Sequence, residues 1–193
     1  MKQLHHIRIT PREIMLDGQA VRTAGEGLAL LKNAYQTHIG EYPKFHKMDG
    51  LCKLGFVASD LLLQAEGTRN FDGDGHVQEA EAREDRAVIL FNRSGSLETD
   101  RQYQATIDAV SGYYPSPALF VYTLSNIVTG EICIRNGYRG ESSFYVLPGK
   151  DLALMEQMVD ESFMDESMRS ALWGWVDYTG EHDFEAEMYL SEK

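Results

Sequence analysis

The sequence predicts a single α/β domain, because buried-strand patterns and amphipathic-helix patterns both occur along it. Residues 87–92 form an apolar run typical of a strand that is buried on both faces of a sheet. Residues 51–65 follow Asp49, which can cap a helix, and place apolar side chains at helical spacing. The chain has 193 residues, 43% of them hydrophobic, which is enough for one core spanning residues 1–193.

The remaining segments follow the same rules. Residues 14–21 read IMLDGQAV, which favours a hairpin that turns at Asp17 and Gly18. Residues 38–47 and the acidic stretch 67–86 are predicted to be loops, the second with at most a short helix. Periodicity predicts strands at residues 4–10 and 183–190, and helices at residues 25–35, 100–111 and 151–167.

The helix predicted at residues 151–167 has two contrasting faces. Its apolar side chains are Leu152, Met155, Val159 and Phe163, joined by Leu154, Met158 and Met164. Its polar face carries Glu156, Gln157, Asp160, Glu161, Asp165 and Glu166. Burying that many carboxylates would cost several kcal/mol each unless they were paired. We therefore expect the polar face to lie in water.

Composition excludes several functions. The net charge of −12 disfavours nucleic acid and anionic membrane surfaces, which require clustered Lys and Arg. No run approaches the roughly 18 apolar residues of a membrane span, and the N-terminus lacks the apolar core of a signal peptide. We therefore expect a cytoplasmic protein, with Cys52 and Cys133 as buried, reduced thiols.

Residues 114–148 carry the most informative pattern, YPSPALFVYTLSNIVTGEICIRNGYRGESSFYVLP. This segment resembles the core of β-ketoacyl-acyl-carrier-protein synthases, the thiolase-fold ketosynthases of fatty acid and polyketide synthesis. The matching residues are Ser116, Pro117, Leu124, Asn126, Gly130, Ile132, Ile134, Arg135, Gly137 and Gly140. Glu141 stands where the family usually has proline.

Three further blocks resemble the same family in the same order. Residues 47–54 read KMDGLCKL, and residues 171–178 read ALWGWVDY. Residues 87–99 read AVILFNRSGSLET, where Ser94, Gly95, Leu97, Glu98 and Thr99 carry the match. The resemblance implies a single thiolase-like half, with a mainly parallel five-stranded sheet and helices on both faces. It also implies a helix at residues 123–137 and strands at residues 143–147 and 171–178.

The resemblance does not extend to the family's catalytic residues. Ketosynthases place their catalytic cysteine just after the strand that aligns with residues 143–147, and here that position falls near Gly149 or Lys150. Cys133 precedes the last glycine of the motif and does not align with the nucleophile. A complete ketosynthase is about twice this length, and its catalytic histidines lie in the second half. The solvent-exposed acidic face of the helix predicted at residues 151–167 then predicts that this thiolase-like half stands without the second half.

The function predicted from these features is a non-catalytic accessory or partner of a complete 3-oxoacyl-ACP synthase. We expect a homodimer, through residues 171–178, or a heterodimer with a complete ketosynthase. An acyl carrier protein is a possible partner, although it is acidic and the basic residues nearest the motif are only Arg135, Arg139 and Lys150. The alternatives are an acyl-transfer enzyme with an unrecognised nucleophile, or a calcium- or ligand-binding structural module.

The calcium alternative comes from residues 70–81, NFDGDGHVQEAE. They fit the twelve-position calcium loop, with Asn70 replacing the usual first Asp. Asp72 and Asp74 take ligand positions and Glu81 the bidentate position. No other cofactor is predicted. The aromatic cluster of Tyr113, Tyr114, Phe120 and Tyr122 is predicted to be core.

Overall fold

The computed structural model describes residues 1–108 and 115–193. Its strands are β1 (Lys2–Ile9), β2 (Ile14–Leu16), β3 (Gln19–Ala20), β4 (Arg86–Asn92), β5 (Ser142–Val146), β6 (Ser170–Gly180) and β7 (Asp183–Glu192). Its α-helices are α1 (Leu28–Ala34), α2 (Gly50–Glu66), α3 (Leu97–Ile107), α4 (Pro117–Tyr122), α5 (Ile127–Asn136) and α6 (Leu152–Ser162). A π-helical turn at Tyr35–Ile39 and 3₁₀ turns at Pro43–Lys47 and Glu79–Glu81 complete the described elements.

All described strands form one sheet in the order β3-β2-β1-β7-β6-β4-β5. β4 pairs in parallel with β5 and β6, and every other pairing is antiparallel. Strands β1, β3, β4, β5 and β6 therefore run in one direction, and β2 and β7 run against them. The predicted α/β class is confirmed, and the sheet is mainly parallel in strand direction.

The sheet has seven strands, not the predicted five. The additional pair, β2 and β3, consists of the arms of the predicted hairpin, which extend the sheet beyond β1. The turn has positive φ at both Asp17 (48°) and Gly18 (77°), as a type I′ turn requires. Sequence patterns identified the hairpin, but they did not show that it joins the main sheet.

Strand β6 is central, and this contradicts the predicted homodimer contact through residues 171–178. β6 is hydrogen-bonded to β4 on one side and to β7 on the other. A strand with both edges occupied cannot pair with a second chain. The free edges of the described sheet belong to β3 and β5.

One face of the sheet is covered by α2 and α5. Asp49 starts α2 as predicted, since its carboxylate accepts a hydrogen bond from the Cys52 amide at 2.8 Å. Leu54, Val57 and Leu62 of α2 are fully buried against β-strand residues of the same cluster, including Val88 and Leu172. Burial extends over most of α2, so this helix is the centre of the larger core.

The other face is covered by α6 over part of its width. Met155, Val159 and Phe163 pack against Phe91 and Trp173 of the sheet. The polar face is exposed as predicted, with Glu156, Gln157, Asp160 and Glu161 in water. Leu152 was expected in the buried stripe but is exposed. It is the first residue of α6, and its side chain points back beyond the start of the helix, where no turn lies beneath it.

Other boundaries differ locally. The helix predicted at residues 123–137 is α5, which begins only at Ile127. A separate helix, α4, precedes the predicted range, and Ser116 caps it by accepting from the Leu119 amide. α3 begins before residue 100, and residues 109–111 of the predicted helix lie outside the described residues. Tyr122 is buried as expected, but Phe120 is half exposed; Tyr113 and Tyr114 lie outside the described residues. Among the described residues, no helix is both long and apolar enough to cross a membrane.

Candidate functional site

The candidate site lies where β4, β5 and β6 end. Because these strands are parallel, their carboxyl ends meet at one edge of the sheet, where α/β folds place ligand sites. The Arg93–Ser94 loop follows β4, Gly149 and Lys150 follow β5, and Asp177 lies near the end of β6. The structure therefore brings the predicted nucleophile position to a site-forming edge.

Lys150 is held there by two carboxylates. Its Nζ forms ion pairs with Glu185 and Glu187, both on β7. Burial acts to lower the pKa of Lys150, but hydrogen bonds and charge attraction from these carboxylates outweigh it and raise the pKa above its usual value. The amine is therefore protonated at neutral pH. It can serve as a fixed cation, but it cannot act as a nucleophile or general base.

Glu187 links Lys150 to an aromatic stack. Its Oε1 lies 3.2 Å from Nε2 of His6 and accepts a hydrogen bond from the Tyr189 hydroxyl at 3.0 Å. The ring of Tyr189 stacks on His6 at 4.7 Å and on Trp173 at 4.5 Å. Burial acts to raise the pKa of Glu187, but hydrogen bonds from Lys150 and Tyr189 lower it overall, so this carboxylate is ionised at neutral pH.

Asp177 ties the ends of β4 and β6 together. One of its oxygens accepts hydrogen bonds from the Ser94 amide at 3.0 Å, the Ser94 hydroxyl at 2.5 Å and the Arg93 amide at 3.3 Å. A carboxylate with this many donors is fixed in place. Asp177 therefore shapes the loop after β4 and orients the Ser94 hydroxyl.

A cavity of about 320 Å³ opens between these groups. Its lining residues are Arg93, Gly149, Lys150, Trp175, Asp177, Thr179, Asp183, Phe184 and Glu185. Two cations face three carboxylates, so the lining has no excess positive charge. The site is thus an ion-paired, largely neutralised pocket at the carboxyl ends of the parallel strands.

Neither of the two cysteines is placed to act as a nucleophile. Burial, reinforced by the nearby Asp49 carboxylate, raises the pKa of Cys52 well above its usual value. Burial also raises the pKa of Cys133, although a hydrogen bond from Ser142 opposes it. Both are free, as predicted, with Cys52 buried and Cys133 half-buried. Neither side chain is a thiolate at neutral pH, and only the thiolate is nucleophilic.

The candidate calcium residues are engaged within their own loop. Asp72 accepts hydrogen bonds from the amides of Asp74 (3.0 Å) and His76 (2.8 Å). Glu81 accepts from the side chain of Asn70 and, at 3.0 Å, from its amide. Within residues 1–108 and 115–193, no three His, Cys, Asp or Glu side chains are grouped so that they could hold a metal ion. Calcium binding stays a prediction.

No protein-family model matches the chain, and no curated protein matches it either. Solved structures, in contrast, do match this chain. The ishigamide ketosynthase/chain length factor superposes with a TM-score of 0.70 and 17% identity over 100% of this chain and 62% of that one. The fold is ketosynthase-like. The ketosynthase ApeO in complex with its chain length factor ApeC from Xenorhabdus doucetiae gives a TM-score of 0.59 and 13% identity, over 100% of this chain and 79% of that one.

This ketosynthase-like chain contains groups that sequence patterns did not identify. The ion pairs of Lys150 join residues that are 35 or more positions apart in the chain. The alternation in residues 183–190 predicted a half-exposed strand there, but not that its glutamates bind Lys150. Asp177 and Ser94 stood within the blocks that resemble ketosynthases, so the resemblance pointed to both residues. It did not predict that they contact each other.

Proposed function

We propose that this chain is a non-catalytic ketosynthase-like protein that acts as the partner of a complete 3-oxoacyl-ACP synthase in polyketide or fatty acid biosynthesis. One observation carries the proposal. The sequence resemblance aligns Gly149 or Lys150 with the family's nucleophile, and the Lys150 amine is protonated and paired with Glu185 and Glu187. An acyl-thioester needs a thiolate at that point.

The solved structures support the partner role. Both are described as a ketosynthase with a chain length factor. Chain-length-factor subunits resemble their catalytic partners but lack the cysteine. The present chain combines a ketosynthase-like fold with a sequence in which no cysteine follows β5. Its span is less than two thirds of the first of these chains, so activity, substrate and partner are proposals here.

The edge of β5 is the surface we assign to the partner. β5 is paired only with β4, and its other edge is free. Val146, at the end of β5, is 58% exposed. In the parallel ladder, Leu147 donates to Asn92, so alternate residues point their amides at β4, and the Val146 amide points outward. A partner strand can be added at this edge by main-chain hydrogen bonds.

The test is co-purification of this chain with a complete ketosynthase expressed from the same genome, followed by light scattering to obtain the mass of the complex. Val146→Pro removes an outward-pointing amide without breaking a bond to β4, and Val146→Ala is the matched control that keeps the amide. We expect a one-to-one complex for the wild type and Val146→Ala, and at least tenfold weaker association for Val146→Pro.

Other outcomes would overturn parts of the proposal. A stable homodimer that binds none of the ketosynthases tested would contradict the accessory role. Equal binding by both Val146 variants would contradict the β5 edge. Transfer of label from acyl-ACP to the isolated chain, abolished by Cys133→Ser, would contradict the non-catalytic assignment and support the enzyme alternative.

A further inference from the structure

A second cavity, of about 330 Å³, lies beyond the carboxyl end of α2 and shares no lining residue with the Lys150 pocket. Its walls include Ile39, Gln64, Thr68, Phe71 and the guanidinium groups of Arg69 and Arg135. Gln64 and Thr68 are exposed, so the cavity opens to solvent. Its size is at the lower end of the range for small-molecule sites.

Arg135 is buried in the floor of this cavity with an incomplete set of partners. Its side chain is 2% exposed. One terminal nitrogen donates to the Gly75 carbonyl, and the other donates to Asp60 at 3.3 Å. Nε has no hydrogen-bond partner among the described residues. A buried donor without an acceptor is costly.

Arg69 draws on the same carboxylate. It donates to Asp60 Oδ1 and, at 3.1 Å, to the Asp60 carbonyl, while its other terminal nitrogen donates to Asn136. Asp60 is almost completely buried, so it is a single negative charge between two guanidinium groups. The nearby acids are otherwise engaged, Glu66 with Arg86 and Glu81 with Asn70. The cluster therefore keeps one positive charge in excess.

Burial disfavours the charged form of the Arg135 guanidinium. It lowers the pKa of Arg135, and Asp60 opposes the change without cancelling it, while the like charge of Arg69 adds to it. A second anion next to these groups would neutralise the cluster. The planar fork of a guanidinium matches a carboxylate, which it can bind through two parallel hydrogen bonds.

Apolar surface adjoins the cations. The Phe71 ring centroid lies 3.8 Å from the Arg135 guanidinium carbon and 5.1 Å from that of Arg69. Ile39 lines the same space. A ligand suited to these walls has one negative end for the guanidinium groups and a short apolar body for Phe71 and Ile39. We propose that this cavity binds a small monocarboxylate with a short aliphatic or aromatic body.

The probe is sodium hexanoate, titrated into the full chain by calorimetry and followed by amide NMR shifts. Hexanol tests whether the charge is required, and inorganic phosphate tests whether any anion suffices. Thr68→Glu would place a carboxylate of the chain itself at the cavity mouth, and Thr68→Gln is the uncharged control of the same size. Thr68 is an exposed loop residue, so both variants are expected to fold.

We expect saturable hexanoate binding by the wild type and Thr68→Gln, and at least tenfold weaker binding by Thr68→Glu. Hexanol is expected to show no saturation, and phosphate is expected to bind more weakly than hexanoate. Absence of hexanoate binding by the wild type would overturn the proposal, as would equal binding by the two Thr68 variants. Tighter binding of phosphate would replace the carboxylate with a different ligand class. None of these outcomes depends on a ketosynthase partner.

Discussion

The two faces of the sheet differ in how completely they are covered. The face under α2 and α5 is a continuous apolar core, and its polar groups are buried in defined pairs such as Asp60 with Arg135. The face under α6 has a smaller apolar cluster, and beyond it the charged groups around Lys150 are only half buried. We expect the first face to contribute most of the stability, and the second carries the ion-paired groups around Lys150.

The difference follows from the sequence of the covering helices. α2 is apolar around most of its circumference, so it fits only inside a protein. α6 has one apolar stripe and one acidic face, so it lies between the sheet and water. The acidic face of α6 is therefore solvated in this chain.

The largest effect should come from the buried ion cluster of the α2 face. Asp60→Asn removes the only carboxylate that Arg69 and Arg135 share, and breaking a buried pair costs about 3–5 kcal/mol. Asp160→Asn, on the exposed face of α6, is the matched control, with an expected change within about 0.5 kcal/mol. Urea unfolding measures both, and similar losses would mean that the two faces are not distinct.

A pair of identical truncations tests apolar packing in the same way. Leu62→Ala deletes a fully buried side chain of α2 and should cost about 3 kcal/mol of unfolding free energy. Leu154→Ala affects a side chain of α6 that is 39% exposed and should cost less than about 1 kcal/mol. If Leu154→Ala cost as much as Leu62→Ala in the isolated chain, the outer face of α6 would be packed rather than wet.

The smallest effect concerns Lys150 and depends on pH. Lys150→Met removes a half-buried ion pair and should cost about 0.5–1 kcal/mol at pH 7. The pKa of Glu187 is lowered in the folded state, so its stabilisation is present above the usual value of 4.5 and is lost as pH falls through the folded pKa.

The difference between wild type and Lys150→Met should therefore shrink below pH 4.5. The raised pKa of Lys150 keeps its own contribution constant until the pH exceeds 10.5. Thermal unfolding at pH 3 and pH 7 measures the change. A difference that is the same at both values would mean that the ion pair with Glu187 does not contribute to stability.

Local patterns predicted the elements well, because each depends on neighbours in the chain. The Asp49 cap, the apolar run of β4 and the Asp17–Gly18 turn are all short-range signals, and all three were confirmed. The acidic face of α6 was also predictable, since helical periodicity alone separates it from the apolar stripe.

The pairings between distant residues were not predictable. Asp60 lies on the helix predicted at residues 51–65, where the pattern identified only an apolar stripe, and its partners come from a loop and from α5. Lys150 was singled out only as the position of a missing cysteine, and its carboxylate partners lie on β7. The calcium pattern at residues 70–81 was recognised, but the loop uses Asp72 to cap its own turn. Such contacts depend on tertiary arrangement, which residue spacing does not encode.

The unequal edges of the sheet limit how far association can proceed. At one end, β3 has only two residues, which is too short to template another strand. At the other end, β5 offers five residues with one free side. Once that side is occupied, both outer ends of the combined sheet are blunt if the partner is a second copy. Growth would then stop at two chains, without the open-ended stacking that produces fibres.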